Sequence, residues 1–511
     1  MAAIKQLAGQ TLWYGLSNVG ARMLNFLLTP LLTLLMNDGK GLTEYGSMTL
    51  IYSWMGVLNI LYTYGMETAY FRFSTENDIK KQDIFSTAFG SLLISTVLFS
   101  LALIFFRGDI QSYLEISNHP EYITWCAFIV SLDAIAAIPF AKLRQEGRPR
   151  KYAFIRLGGI LINIAAIIIF MVFIPRLIQS YPDNMVMRWF QGKDRLGFII
   201  LANLLQSIFV MLMLLPECSG FRLRINGDLW KRMVGYSAPM IVIGLGGMVN
   251  EVMDRTFLDK WLPFDNATNK TIVGIYGANY KLAIFITLFL QAFKMAAEPF
   301  FFSQAKDKNA PALYARIMKW FVITLAFAFL FTALYLDIWK ILIIRGENFR
   351  SGIGVVPILL LANIWLGIYY NLSIWYKLTD RMLMGLYITV AGAVITLAGN
   401  YLFIPTWGMY ASAWSTFICY FVMMMLAYFL GQKYFPIPYP VKKLSSYLVV
   451  MLLLFFAQKG VDVLTSSLNA APQISIRFAT ATILFLIFLL LVIKIEKSEI
   501  KGMPFIGKYI K

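Results

Sequence analysis

Three polar residues interrupt the first apolar stretch of this 511-residue chain at helical spacing. Asn18, Arg22 and Asn25 are four and three residues apart, so a helix places them on one face. A charge in the middle of a membrane span costs about 3 kcal/mol or more unless it faces a partner or water. A guanidinium donates two parallel hydrogen bonds to phosphate, and amides suit sugar hydroxyls. We therefore expect this face to line a cavity for a polar, anionic ligand.

Charged and amide side chains recur inside the other apolar stretches, where they are expected to face protein or water. The set comprises Glu67, Asp133, Arg156, Asn250, Glu251, Asp254, Arg255, Asn279, Lys281, Lys294, Glu298, Asn363, Asn371 and Asn400. Arg22, Arg255 and Lys281, with the asparagines and tyrosines, would supply the cations and amides of such a cavity. Arg22 and Glu67 are the first candidates, because Glu67 is too short to reach the headgroups from its position.

Several of these charges also have a purely structural explanation, which the sequence leaves open. The pairs Glu251–Arg255 and Lys294–Glu298 have i,i+4 spacing and could be ion pairs within one helix. Arg72 and Arg156 could extend to the headgroups. Arg22 could pair with Asp133 and fix helix packing.

The elements that must position these residues are long apolar helices. The chain is 59% hydrophobic and 14% charged, whereas soluble proteins are about 45–50% apolar, so we expect an all-α polytopic membrane protein. A span needs about 20 apolar residues, and about fourteen stretches qualify. They lie near residues 8–36, 46–70, 84–106, 122–141, 151–174, 197–215, 230–258, 273–300, 314–336, 353–376, 382–404, 409–430, 443–458 and 474–494.

The formal net charge of +18 comes from basic residues in the turns between spans. Their distribution argues against a nucleic-acid-binding domain and indicates topology instead. Alternate turns carry about twice as many Lys and Arg as the others, so the positive-inside rule places both termini in the cytoplasm.

The sequence offers no set of residues for a metal or a cofactor. Cys126, Cys218 and Cys419 are far apart, and His119 is the single histidine. A Walker phosphate loop is also missing. We therefore expect no metal, no cofactor and no ATP-driven mechanism.

Features of the first half recur about 230 residues later, which indicates an internal repeat. Tyr45-Gly46 corresponds to Tyr276-Gly277, and Ile174-Pro175 corresponds to Ile404-Pro405. Six spans followed by six spans in the same orientation predict two parallel bundles, an N-lobe at 1–228 and a C-lobe at 229–431. Residues 432–511 would add an extra helix pair and a basic tail. A cleft between two such lobes favours a transporter over an enzyme.

Several motifs carry a resemblance to a known family. They are Leu12-Trp13-Tyr14-Gly15-Leu16-Ser17, Leu28-Thr29-Pro30-Leu31-Leu32-Thr33, Glu44-Tyr45-Gly46, Tyr64-Gly65-Met66-Glu67-Thr68-Ala69, Arg72-Phe73, Asp254-Arg255 and Val273-Gly274-Ile275-Tyr276-Gly277-Ala278-Asn279-Tyr280-Lys281-Leu282. From Gln6 to the last span, the chain resembles the polysaccharide biosynthesis (O-antigen flippase) family of the multidrug/oligosaccharidyl-lipid/polysaccharide exporter superfamily. This superfamily has two six-helix lobes and an optional extra pair.

The resemblance implies a flippase for polyprenyl-diphosphate-linked oligosaccharides in the bacterial cytoplasmic (inner) membrane, serving O-antigen, capsule or exopolysaccharide synthesis. It implies alternating access around a cationic cavity, with other polysaccharide-assembly membrane proteins as partners. By position, Arg22, Glu67 with Arg72, and Asp254-Arg255 fit the family's functional charges. Candidates for binding a coupling proton or sodium ion are Glu67, Asp133, Glu251 and Glu298.

Two other functions remain open. A cation-coupled multidrug exporter would require a cavity dominated by acids, whereas this cavity has at least as many basic groups. A membrane glycosyltransferase or polymerase would require a sizeable catalytic loop. The longest turns, 177–195 and 215–228, are short and lack a convincing carboxylate pair.

Overall fold

The computed structural model of the chain describes residues 20, 22–74, 76, 78–116, 119–222, 225–304, 307, 309–379 and 381–501. Within these residues every regular element is a helix. The predicted all-α fold class is therefore confirmed.

The helices follow one another with short connections. In chain order they are α1 (Arg22–Leu35), α2 (Gly39–Thr63), α3 (Met66–Phe73), α4 (Lys81–Phe105), α5 (Arg107–Leu114), α6 (Glu121–Gln145), α7 (Pro149–Ile168), α8 (Ile174–Ser180), α9 (Met185–Gln191), α10 (Arg195–Leu214), α11 (Gly227–Trp261), α12 (Asn266–Tyr280), α13 (Ile284–Gln304), α14 (Ala310–Ala333), α15 (Leu336–Ile343), α16 (Val356–Leu372), α17 (Ile374–Leu378), α18 (Met382–Trp407), α19 (Met409–Tyr434), α20 (Val441–Leu464), α21 (Ala470–Ile495) and α22 (Lys497–Lys501).

Eleven helical stretches of the described chain are long and apolar enough to cross a membrane. The count is twelve if the bent pair Asn266–Ala283 and Phe285–Lys294, which turns by 52°, is one span. Helices occur at all the predicted spans, but α2 is not among the eleven, and α1 is described only from Arg22. The protein is a multi-pass membrane protein, and the number fourteen stays a prediction.

The fifth predicted span does not end at Pro175. The helix instead passes through a π-helical turn, Ile169–Phe173, and continues as α8 to Ser180. Proline lacks the N–H that an α-helix needs, and a turn of π-helix before it absorbs the irregularity. Pro405 likewise lies inside α18, which continues to Trp407.

The chain forms two compact units. The first takes its described residues from Met1–Lys281, Ile344–Gly352 and Thr389–Cys419, and the second from Leu282–Ile343, Ile353–Ile388 and Tyr420–Lys511. The predicted lobes are not tested by this division and stay a prediction.

In the first unit, glycines determine how closely α2 and α12 approach. The backbone carbonyl of Lys270 occupies the place where a Cβ on Gly46 would lie. A Cβ on Gly274 would be only 2.6 Å from the carbonyl of Leu42, and one on Gly277 would be 2.8 Å from Thr49. Both Tyr-Gly pairs of the repeat thus place a glycine at one helix–helix contact, where a side chain would force the backbones apart.

Polar contacts extend this α2–α12 contact. The hydroxyl oxygens of Thr43 and Thr271 are 3.0 Å apart. The rings of Tyr45 and Phe349 pack edge to face, with centroids 5.0 Å apart. The helix pair is therefore held by close backbone packing, a hydrogen bond and an aromatic contact.

In the second unit, a buried carboxylate ties the end of α21 to α14 and α20. Glu496, 2% exposed, accepts hydrogen bonds from Lys319 at 2.7 Å and from Tyr447 at 2.6 Å, and Lys443 lies 2.6 Å away. Burial alone would raise the pKa of Glu496, but these bonds outweigh it and hold the pKa below its ordinary value of 4.5. Lys319 also donates to Glu499 at 2.6 Å, which fixes α22.

Candidate functional site

Asp254 and Arg255 form a buried ion pair in α11. They are 2% and 7% exposed, and Nη1 of Arg255 donates to Oδ1 of Asp254 at 2.8 Å. The same nitrogen donates to the backbone carbonyl of Glu251 at 2.6 Å. Glu251, the i,i+4 neighbour of Arg255, thus contributes its backbone carbonyl, and it is itself an exposed residue.

Helix α12 completes the surroundings of this pair with two tyrosines. The hydroxyl of Tyr276 donates to Oδ2 of Asp254 at 2.6 Å. The guanidinium of Arg255 lies over the ring of Tyr280, 4.3 Å from its centroid. Both oxygens of Asp254 therefore have donors, and a desolvated cation–π contact of this kind stabilises Arg255 by about 2 kcal/mol. Sequence reasoning did not select these tyrosines, although their i,i+4 spacing was a signal for a shared face.

Asn279 and Lys281, both predicted to bind substrate, differ in their surroundings. Asn279 is fully buried, and its Nδ2 donates to the carbonyls of Ile275 at 2.8 Å and Phe349 at 2.6 Å. Lys281 is exposed in the short 3₁₀ turn that follows α12. The amide donors of Asn279 are therefore used within the protein, whereas Lys281 is an exposed residue.

Arg22 and Asn25 lie in the first turn of the described part of α1, and both are exposed. Their spacing of three residues puts them on one helix face, as predicted. Asn18, the third member of this predicted face, lies outside the described residues.

Glu67 is placed by a break after α2. Tyr64 and Gly65 adopt left-handed conformations, with φ of 33° and 71°, so that α3 begins as a new helix with Glu67 in its first turn. There Glu67 forms an ion pair with Arg144 of α6. The guanidinium of Arg144 also lies 4.9 Å from the ring centroid of Phe71.

Arg144 was not selected from the sequence as a partner of Glu67. A positional signal existed, since the predicted topology puts Arg144 and the inner end of the second span on the same side of the membrane. Arg72, by contrast, is an exposed residue near the end of α3 that lies 3.6 Å from Glu76, four residues further along the chain.

The remaining predicted ion-coupling acids have separate locations. Asp133 on α6 is exposed and accepts a hydrogen bond from Ser207 of α10 at 2.9 Å. Glu251 is exposed on α11, and Glu298 belongs to α13, with a side chain outside the described set. Across the described residues, no cluster of His, Cys, Asp or Glu could hold a metal ion.

The first unit therefore presents two kinds of charged and amide groups. Asp254, Arg255 and Asn279 are buried and hydrogen-bonded, which suits holding α11 and α12 in a fixed geometry. Arg22, Asn25, Glu251 and Lys281 are exposed. Their cations and amide can bind an anionic, hydroxylated ligand, and the carboxylate can exchange a proton or bind a cation.

Comparisons with known proteins agree with this architecture. No curated protein matches the chain. Among solved structures, it is similar to "Lipid II flippase MurJ, inward closed conformation", with a TM-score of 0.68 and 12% identity, covering 94% of this chain and 98% of that one. It is also similar to the inward-facing conformation of a multidrug resistance MATE family transporter of the MOP superfamily, with a TM-score of 0.63 and 13% identity, covering 83% and 94%. A variant of the MATE transporter VcmN of Vibrio cholerae matches with a TM-score of 0.55 and 13% identity, covering 84% and 96%.

At identities this low, the structural matches establish only that the chain shares the fold of these proteins. A family model matches the sequence itself over residues 7–306, which is more than half of the chain. The motifs around Tyr45, Glu67, Asp254 and Tyr276 all lie inside this range. The model is described as Polysaccharide biosynthesis protein, and the chain belongs to that family.

Proposed function

We propose that this protein is a flippase for a polyprenyl-diphosphate-linked oligosaccharide. It moves the lipid from the inner to the outer leaflet of the bacterial cytoplasmic membrane, for synthesis of O-antigen, capsule or exopolysaccharide. The observation that carries the proposal is the family match over residues 7–306. The fold that the chain shares with a protein described as a lipid II flippase supports it.

The exposed polar groups of the first unit suit such a substrate. A diphosphate needs fixed cations, which Arg22 and Lys281 offer, and sugars need amides such as Asn25. Asn18 belongs to the same face of the first span by spacing. We assign these four residues to substrate binding.

The charged groups that already have partners have a different role in this proposal. Asp254 and Arg255 hold α11 against α12, because they are already engaged with each other and with the tyrosines of α12. Glu67 holds α3 against α6 through Arg144, and Arg72 stays near the headgroups. Positioning, not direct contact with substrate, is their part in transport.

Coupling to a proton or sodium gradient is assigned to exposed acids. Glu251 lies one helical turn before Arg255 in α11, and its carboxylate is exposed. Asp133 is the second candidate, because it is exposed and accepts a hydrogen bond from the neutral hydroxyl of Ser207. Neutralising either charge would remove the coupling without removing the cations for the diphosphate.

The mechanism is alternating access. Helices α2 and α12 come from the predicted N-lobe and C-lobe, so their contact at Gly46 and Gly274 must separate when the lobes rock. Both termini are assigned to the cytoplasm, which leaves this contact on the outward side. The polyprenyl tail stays in lipid while the diphosphate and sugars cross.

The test is an inventory of polyprenyl-diphosphate glycans by mass spectrometry in cells with and without the protein, with leaflet accessibility probed from outside. A complete oligosaccharide-lipid that accumulates facing the cytoplasm in the deleted cells supports the proposal and identifies the substrate. An unchanged pool with unchanged sidedness would overturn it.

The second candidate function is a cation-coupled multidrug exporter. It is favoured by the fold, since the chain matches MATE transporters with TM-scores up to 0.63. In that case the deleted cells would become sensitive to lipophilic cations while their lipid-linked glycans stay normal. If the protein were instead a membrane glycosyltransferase, the deleted cells would contain unprocessed substrate on one leaflet and would lack the product.

A further inference from the structure

A cavity of about 440 Å³, lined by both apolar and charged side chains, lies in the second unit at one end of α14, α20 and α21. It is at the opposite end of α20 and α21 from Lys443 and Glu496. The charged and amide side chains that line it come from three helices. They are Asp337 and Lys340 of α15, Gln458, Lys459 and Asp462 of α20, and Arg477 of α21.

The charges of the cavity form one chain with Arg477 at its centre. Nη1 of Arg477 lies 3.3 Å from Asp337, and its Nε lies 3.2 Å from Asp462. Lys340 pairs with Asp337, and Lys459 lies 3.2 Å from Asp462. Three cations thus share two carboxylates, which leaves one positive charge uncompensated.

The carboxylate of Asp337 is ionised at neutral pH. Burial would raise the pKa of Asp337, but its hydrogen bonds and proximity to Lys340 and Arg477 hold the pKa below its ordinary value of 3.8. The two lysines are at the rim, where Lys340 is 30% and Lys459 is 48% exposed. Each ammonium group has three donors and therefore has donors left for a ligand.

Gln458 adds an acceptor that the described part of the chain does not satisfy. Its residue is 4% exposed, and its Oε1 is buried without a hydrogen-bond donor. Its Nε2 makes only long contacts, 3.4 Å to Asp462 and 3.3 Å to the carbonyl of Arg477. Buried polar groups of proteins are nearly always paired, so this oxygen is an acceptor available to a donor on a bound molecule.

We propose that this cavity binds a phosphodiester that carries a polyol, with the phosphate on Lys340, Lys459 and Arg477 and a hydroxyl donated to Oε1 of Gln458. A phosphodiester has one negative charge, which matches the excess charge of the cavity. A lipid headgroup such as phosphatidylglycerol and a soluble glycerophosphodiester share this chemistry. The site is separate from the substrate groups of the first unit and does not rest on the proposed transport.

The test measures phosphatidylglycerol binding to the full chain in detergent by native mass spectrometry, with phosphatidylcholine as the zwitterionic comparison. We expect phosphatidylglycerol to bind more tightly than phosphatidylcholine. Lys459→Gln should weaken it about tenfold, because a charge-assisted hydrogen bond is lost, and Gln458→Met should weaken it severalfold. The matched control is Lys442→Gln, which removes the same charge from the opposite end of α20.

Thermal unfolding verifies that each variant is folded, and Lys340→Gln is the second rim variant. Competition with glycerophosphoglycerol distinguishes the two sources: displacement at similar concentration indicates a soluble ligand, and its failure indicates the lipid. Equal affinity of wild type, Lys459→Gln and Lys340→Gln for phosphatidylglycerol would overturn the proposal. An equal loss in Lys442→Gln would overturn it too, because it would show attraction by net charge alone.

Discussion

A disulfide between residues 43 and 271 is expected to stop transport. The hydroxyl oxygens of Thr43 on α2 and Thr271 on α12 are 3.0 Å apart. In Thr43→Cys/Thr271→Cys the sulfurs take these positions and need to approach by about 1 Å to reach the bond length of about 2.05 Å. Side-chain rotation and small helix shifts supply that distance, so oxidation should form the bond without disrupting the fold.

We expect the disulfide to block transport completely, because the bond is covalent. A disulfide holds its two Cα atoms within about 7 Å, so any outward opening that separates α2 from α12 at this point is blocked. The bond also closes a loop between positions 228 apart in sequence, which the chain-entropy model values at about 5 kcal/mol of stability. Loss of transport should therefore accompany a rise in melting temperature.

The assay compares oxidised and reduced protein for delivery of the lipid-linked glycan to the outer leaflet, in a background without Cys126, Cys218 and Cys419. A matched control crosslink is Ser100→Cys/Ser131→Cys, whose hydroxyl oxygens are 2.5 Å apart between α4 and α6 of the same predicted lobe. It should form and leave transport intact. Full transport by protein that mass spectrometry shows to be fully linked between 43 and 271 would refute the mechanism.

Three further outcomes are expected. Arg22→Ala should abolish transport at normal membrane levels, and Arg22→Lys should restore part of it; wild-type delivery by the alanine variant would remove Arg22 from the site. Gly46→Ala should lower the free energy of unfolding in detergent, because overpacking costs about 1–3 kcal/mol against a gain of at most about 1 kcal/mol in helix propensity. Its control, Gly39→Ala, meets open space in the same helix and should cost nothing. Glu496→Gln should cost about 3 kcal/mol, since Lys319 loses a buried charged partner. Because the folded-state pKa of Glu496 is depressed, wild type keeps this stability above pH 4.5 and loses it as the pH falls further, whereas the variant should lack that dependence.

Much of the architecture follows from composition and periodicity. Apolar stretches of about 20 residues have few stable alternatives to a helix in lipid, because every backbone polar group must be satisfied within the segment. The helices therefore occur where the sequence places them. The Tyr45-Gly46 and Tyr276-Gly277 pairs also predicted something specific, since both glycines lie at the contact of α2 with α12.

The ends of the helices depend on local backbone conformation, which a hydropathy pattern does not report. Pro175 lacks a backbone N–H donor, and the helix continues past it because a π-helical turn precedes it. The second span breaks at Tyr64-Gly65 because both residues adopt left-handed backbone conformations. Neither event changes the apolar pattern. The break after Thr63 also sets Glu67 in the first turn of a new helix.

The sequence by itself determined which residues carry charge inside the membrane and which of them share a helix face, such as Arg22 and Asn25. Only the tertiary structure decided which of these charges are engaged. Glu67 pairs with Arg144 of another helix, and Asp254 accepts a hydrogen bond from the hydroxyl of Tyr276. The neutral amide of Asn279 donates hydrogen bonds to two backbone carbonyls. Spacing along one helix fixes direction around its axis, whereas a partner on another helix depends on how the two helices pack, and that is a property of the whole fold.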